Sequence, residues 1–75
     1  MKVKEFADKN NLNLDIYCNE GENVSVCLGE YQYDCIFQRD GSVYNMDFDI
    51  YHSNIDEYHE WIINDYLEAI EDNTK

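Results

Sequence analysis

From Leu12 to Tyr51 apolar and polar residues alternate, and from Ile55 onward they switch to a helical period. Alternation marks a strand with one buried face, because successive side chains point to opposite sides. Leu12, Leu14, Ile16 and Cys18 alternate with Asn13, Asp15, Tyr17 and Asn19. After the turn residues Glu20-Gly21-Glu22, Val24, Val26 and Leu28 alternate with Ser25 and Cys27. A three-residue loop brings Cys18 to Val24, Ile16 to Val26 and Leu14 to Leu28, so the apolar faces coincide. Gly29-Glu30 comes next, and glycine first in a two-residue loop suits a type II′ turn. That turn pairs Leu28 with Tyr31, Val26 with Tyr33 and Val24 with Cys35.

The longest alternating stretch is YQYDCIFQRDGSVYNMDFDIY, residues 31–51. Asp-Gly between alternating hydrophobics is a strong hairpin signal, since a type I′ turn needs positive φ at both central residues. With Asp40 and Gly41 as that turn, Phe37 faces Tyr44, Cys35 faces Met46, Tyr33 faces Phe48 and Tyr31 faces Ile50, all toward the core. The outer face then pairs Gln38 with Val43, Ile36 with Asn45, Asp34 with Asp47 and Gln32 with Asp49. Like charges directly opposite each other destabilise a sheet, so this face is a candidate for function. Three turns read separately give one four-stranded antiparallel meander, and a one-residue slip at any of them flips a whole face.

Helices flank the meander. Val3, Phe6 and Ala7 follow the i, i+3, i+4 rule and predict a short helix from Lys2 to about Lys9. Asn10-Asn11 can end it, because Asn tolerates the left-handed conformation. Asn54 with Glu57, or Ser53 with Asp56, is a capping-box pattern opening a helix from about Ile55 to Glu71. Its apolar stripe is Ile55, Tyr58, Ile62, Tyr66, Ala69 and Ile70, with Ile63 on the edge, and should cover one face of the sheet. Trp61 lies between the stripe and the acidic side, as a rim of the core or a contact residue. The expected class is α+β, a single domain over residues 1–75.

Charge changes this picture more than composition does. The chain of 75 residues has a formal net charge of −12. Residues 1–39 are net −3 and residues 40–75 net −9, with Lys75 the sole base of the second part. Self-repulsion of this size costs stability. It excludes ordinary nucleic-acid binding, where phosphates are met by Lys and Arg, and disfavours anionic membranes. It favours a basic partner; solubility in a halophilic or crowded setting, or incidental acidity, are the alternatives. The outside of the last helix carries Glu57, Glu60, Asn64, Glu68 and Glu71 with no Lys or Arg beside them, whereas solvated faces ordinarily mix signs.

Little else points to chemistry. MKVKEF predicts neither a secretory leader nor a membrane span. Cys18, Cys27 and Cys35 are odd in number and lack metal or redox spacing, as expected of reduced intracellular thiols. His52 and His59 have neither the spacing nor the cysteines of a zinc site. No nucleophile set or phosphate loop is present, so no enzyme, metal or cofactor is expected. Asp34, Asp47 and Asp49, with Asp15 on the same face, could hold a hard cation weakly, but a flat sheet offers no pocket to exclude water.

In size, acidity and mixed α/β make-up over its whole length, and with no motif to quote, the chain resembles the small acidic anti-defence proteins of phages and mobile elements, the nucleic-acid mimics of the anti-restriction and anti-CRISPR class. The resemblance implies a non-enzymatic inhibitor in the cytoplasm of a bacterial host, occupying the basic groove of a nuclease or effector without touching nucleic acid or membrane. Acids at alternate strand positions repeat at about 7 Å, and helix neighbours at about 5–6 Å, the scale of phosphates along a strand. The expected phosphate surrogates are Asp34, Asp47, Asp49, Glu57, Glu60, Glu68 and Glu71, with Trp61, Tyr17 and Tyr51 as apolar anchors. Alternatives are an adaptor or immunity-type module for a basic protein and, after that, a weak divalent-cation domain. The exposed edge of the first strand could pair two copies.

Overall fold

The register of three antiparallel strands builds the frame on which everything else rests. The computed structural model describes residues 2–18 and 23–73. In chain order these form α1 (Val3–Lys9), β1 (Leu14–Cys18), β2 (Asn23–Leu28), β3 (Tyr31–Phe37), β4 (Val43–Asn45), β5 (Ile50–His52) and α2 (Ile55–Asn73). The strands make one antiparallel sheet in the order β1-β2-β3-β4-β5. The fold is α+β, with five described strands where the alternation predicts four.

The first two hairpins pair as the pattern predicts. Leu14, Ile16 and Cys18 lie opposite Leu28, Val26 and Val24, although the turn at Glu20-Gly21-Glu22 lies outside the described residues. Leu28, Val26 and Val24 lie opposite Tyr31, Tyr33 and Cys35. Gly29 has φ of 62° and Glu30 is not positive, as a type II′ turn requires. A side chain at Gly29 would also meet the Tyr66 ring at 3.5 Å.

The third hairpin slips by one residue. Cys35 faces Asn45, Ile36 faces Tyr44 and Phe37 faces Val43. The loop is Arg39-Asp40-Gly41, closed by Gln38 N–H to Ser42 O at 2.9 Å and Gly41 N–H to Gln38 O at 3.1 Å. Only Gly41 takes positive φ (92°), and Asp40 does not, which fits a three-residue loop ending in a left-handed residue rather than a type I′ turn. Asp40 Oδ1 accepts from both the amide (2.9 Å) and hydroxyl (2.6 Å) of Ser42. These bonds hold the carboxyl below its ordinary range and fix the longer loop.

The slip inverts the faces of β4 and of the residues after it. Val43 and Asn45 enter the core, while Met46, Phe48 and Ile50 are 44%, 60% and 40% exposed. Tyr44 turns to the outer face beside Tyr51, ring centroids 4.9 Å apart. The predicted strand over 43–51 is broken at Met46–Asp49, a four-residue turn that folds β5 back onto β4. Asp49 is left-handed there, with φ of 56°. Buried Asn45 organises the turn: its Oδ1 accepts the amides of Asp47 (3.1 Å) and Phe48 (3.3 Å), and its Nδ2 lies 3.3 Å from His52 Nε2.

Val24, Val26, Leu28, Tyr33, Cys35 and Val43 from the sheet share one core with Tyr58, Ile62, Ile63 and Tyr66 of α2 and Val3, Phe6 and Ala7 of α1. Burial of this apolar surface is the main favourable contribution to folding. Burial also pushes the Cys35 thiol up, the neighbouring Tyr58 hydroxyl acting the other way. Ile16 and Cys18, on the same sheet face, stay exposed. At the end of α1, Leu12 N–H reaches Ala7 O (2.9 Å) and Asn11, at φ of 53°, reaches Asp8 O (3.4 Å). That is the Schellman arrangement, with Asn in the left-handed position as the sequence suggests. Glu57 N–H donates to Asn54 Oδ1 (2.9 Å) and Ser53 N–H to Glu57 Oε2 (2.8 Å), so the Asn54–Glu57 cap opens α2. The helix continues to Asn73, two residues past the expected end.

Candidate binding surface

The three aspartates expected on one sheet face divide between β3, which holds Asp34, and the β4–β5 turn, which holds Asp47 and Asp49. Asp34 lies on β3 and accepts from Ser25 Oγ (2.7 Å) and Gln32 Nε2 (3.1 Å). Asp47 sits in the β4–β5 turn, not across from Asp34 on a strand. Its Oδ2 accepts the Asp34 amide at 3.0 Å, while Met46 N–H donates to Asp34 O at 3.1 Å. The carboxylate thus stands where the next ladder carbonyl would be, so the expected repulsive pair is joined by a charge-assisted backbone bond. Asp49 accepts the Tyr44 hydroxyl, which raises the phenol's pKa.

Asp47 titrates high. Desolvation is the largest cause; the Asp34 amide opposes it, and the charges of Asp34 and Asp65 reinforce it. The residue as a whole is exposed, but its carboxylate is turned in toward the β3 backbone. Asp65 is an acid that the sequence pattern does not bring forward as a candidate. It is half-buried on α2, and at about 100° per residue it falls about 60° from Ile62, inside the apolar stripe. An acid among those positions is the signal that marks it. The nearby Tyr33 hydroxyl is buried with no partner in hydrogen-bonding geometry; burial and the adjacent Asp65 carboxylate raise its pKa.

Along α2 the arrangement is simpler. Glu57, Glu60, Glu68 and Glu71 are all exposed, and Glu57 also serves as the cap. The helix holds seven acids, Asp56, Glu57, Glu60, Asp65, Glu68, Glu71 and Asp72, with no Lys or Arg. Nineteen residues span about 28 Å. Trp61 is a rim of the core: its ring meets Tyr33 (5.8 Å), Phe48 (5.0 Å), His52 (5.9 Å) and Tyr58 (6.3 Å). Phe48, 60% exposed, covers part of it, although the alternation assigns it to the core. Tyr17 (54%) and Tyr51 (71%) are exposed as expected, but on opposite edge strands.

Among the described residues no three His, Cys, Asp or Glu side chains are placed to hold a metal ion, and no helix is long and apolar enough to cross a membrane. No protein-family model, curated protein or solved structure matches the chain.

Proposed function

We propose that this protein is a non-enzymatic acidic inhibitor that occupies the basic, nucleic-acid-binding groove of a nuclease or effector in the cytoplasm of a bacterial host. The observation that carries this reading is α2: seven acids and no Lys or Arg on about 28 Å of rigid helix. Helix neighbours three and four apart stand about 5–6 Å from one another, the spacing a groove built for phosphates accommodates. The contact acids are Glu60, Glu68 and Glu71, joined by Asp34, Asp47 and Asp49 at the sheet end. The last three also make internal hydrogen bonds. Association of this kind is steered by charge and weakens steeply with salt.

A low-salt pull-down from bacterial lysate, eluted with rising salt and then with duplex or single-stranded nucleic acid, tests it. The expected result is a basic nuclease or effector released by both. A partner that nucleic acid does not displace would sink mimicry and favour the second reading, an adaptor for a basic protein. One observation favours that alternative: Met46, Phe48 and Tyr51 are exposed beside Asp47 and Asp49, and phosphate mimicry needs no such apolar contacts, whereas protein interfaces are anchored by them.

A further inference from the structure

The two edges of the sheet differ. β5 has three residues and β1 has five. Short strands, charges and prolines protect edges from pairing, and β1 has only Asp15 by way of protection. Beyond Leu14, which packs against the core, both faces of β1 are open: Asp15 and Cys18 are exposed, Ile16 is 52% exposed and Tyr17 is 54% exposed.

The direction of the unpaired backbone groups is set by the ladder. Gly29 N–H donates to Asn13 O at 2.9 Å, so the backbone groups of Asn13 point toward β2. In an antiparallel ladder these directions alternate; Asp15 and Tyr17 therefore also point toward β2, and Leu14, Ile16 and Cys18 point outward. The side chains of those outward-bonding residues lie on the core face, opposite Leu28, Val26 and Val24.

We infer that β1 pairs antiparallel with β1 of a second copy about a two-fold axis at Ile16, joining two sheets into one. In this register Ile16 exchanges backbone bonds with Ile16 of the second copy, and Leu14 does so with Cys18. Isologous contact is the usual symmetry of a homodimer. The register is selected by charge. Centring the axis on Asp15 would set that carboxylate against its copy, an unfavourable opposition; centring it on Ile16 sets Asp15 opposite Tyr17. The core face then continues across the junction as Val26, Ile16, Ile16 and Val26, covering the apolar surface α2 leaves open. The strand belongs to the less charged part of the chain, residues 1–39 at net −3. This inference does not depend on the proposed inhibitory function, and it assigns Tyr17 to contact between copies.

Sedimentation equilibrium at about 100 μM protein, where mass action favours association, tests it against salt. Twice the chain mass is expected, with the dimer tightening as salt screens the −12 charge of each copy. That is the opposite salt dependence from binding to a basic partner. Ile16→Pro removes an outward N–H and spares the bonds to β2, so it should give a monomer with an unchanged circular dichroism spectrum. Should that variant misfold, Ile16→Cys in a Cys18→Ser background is the second arm. Hydrogen-bonded antiparallel partners lie about 5.5 Å apart at Cα, within disulfide reach, so oxidation should yield a covalent dimer that Cys18→Ser alone does not form. A monomeric wild type, a dimer unaffected by a folded Ile16→Pro, or no cross-link in the cysteine variant would each overturn the inference.

Discussion

The acids of the β4–β5 turn and those of α2 carry the same charge in opposite circumstances. Asp47 and Asp49 accept hydrogen bonds from the Asp34 amide and the Tyr44 hydroxyl, so they help to build the turn that displays them. Glu60 and Glu68 project from a helix whose fold depends on its other face. A surplus of acid is therefore not one property. In the turn, charge is coupled to structure; on the outer face of the helix, past the Glu57 cap, the charge is not what builds the fold.

The largest effect should come from the residue holding the turn together. Asn45→Ala orphans the Asp47 and Phe48 amides and opens a gap beside His52; an unfolding free energy lower by about 2–4 kcal/mol is expected. Chemical denaturation measures it, and a change below about 0.5 kcal/mol, the range of an ordinary surface substitution, would show that the turn does not depend on this residue. Asp47→Ala should cost about 1 kcal/mol through the Asp34 amide it leaves unmet. Asp47→Asn keeps an acceptor and removes a carboxylate that desolvation and neighbouring acids disfavour, so it should cost less than Asp47→Ala.

The pH dependence carries a definite sign. Because Asp47 has a raised native pKa, the folded protein binds its proton more readily than the unfolded chain. Its contribution is therefore favourable at low pH and lost as pH rises through the native value. Asp47→Asn should flatten that segment of the stability profile. His59 gives the opposite slope. Its Nδ1 accepts the Val3 amide at 3.2 Å, and burial lowers its pKa against the pull of Asp56. The stability it lends is present above the ordinary histidine value of 6.5 and lost as pH falls through the lowered native value. His59→Gln should remove this dependence.

The smallest structural effect is reserved for the helix. Glu60→Lys, Glu68→Lys and Glu71→Lys together should change folding stability by no more than about 0.5 kcal/mol per site, while sharply weakening capture of a basic partner and flattening its salt dependence. Unchanged capture would remove α2 from the binding surface.

The legible part of the fold is the part whose turns announce themselves. Gly29 marks its turn without ambiguity, and the faces of β1, β2 and β3 agree on both sides of their connections. Asp40-Gly41 marks a turn but does not choose between two and three loop residues; Ser42, two positions after Asp40, is the deciding feature through its bonds to that carboxylate. Met46 and Phe48 continue the alternation straight through a turn, so periodicity alone cannot find it. Asn45, Asp47 and Asp49, residue types depleted in strands, are the contrary signal. The acids of α2 are legible as a face, because a helix of this length keeps its period. The use of Asp34 and Asp47 is not, since it depends on a backbone amide that only the slipped register leaves available.

The loop at Arg39-Asp40-Gly41 has a practical consequence. All three residues are exposed, and a side-chain carbon built on Gly41 meets nothing within 4 Å. Lengthening a loop is thermodynamically mild, about 0.6 kcal/mol for each doubling, and exposed tips of this kind accept insertions. A short affinity or fluorescent tag spliced between Arg39 and Asp40, which leaves Asp40 next to the Ser42 it binds, would therefore provide a handle belonging to neither β1 nor α2, through which self-association and capture of a partner can be followed separately on the same molecule.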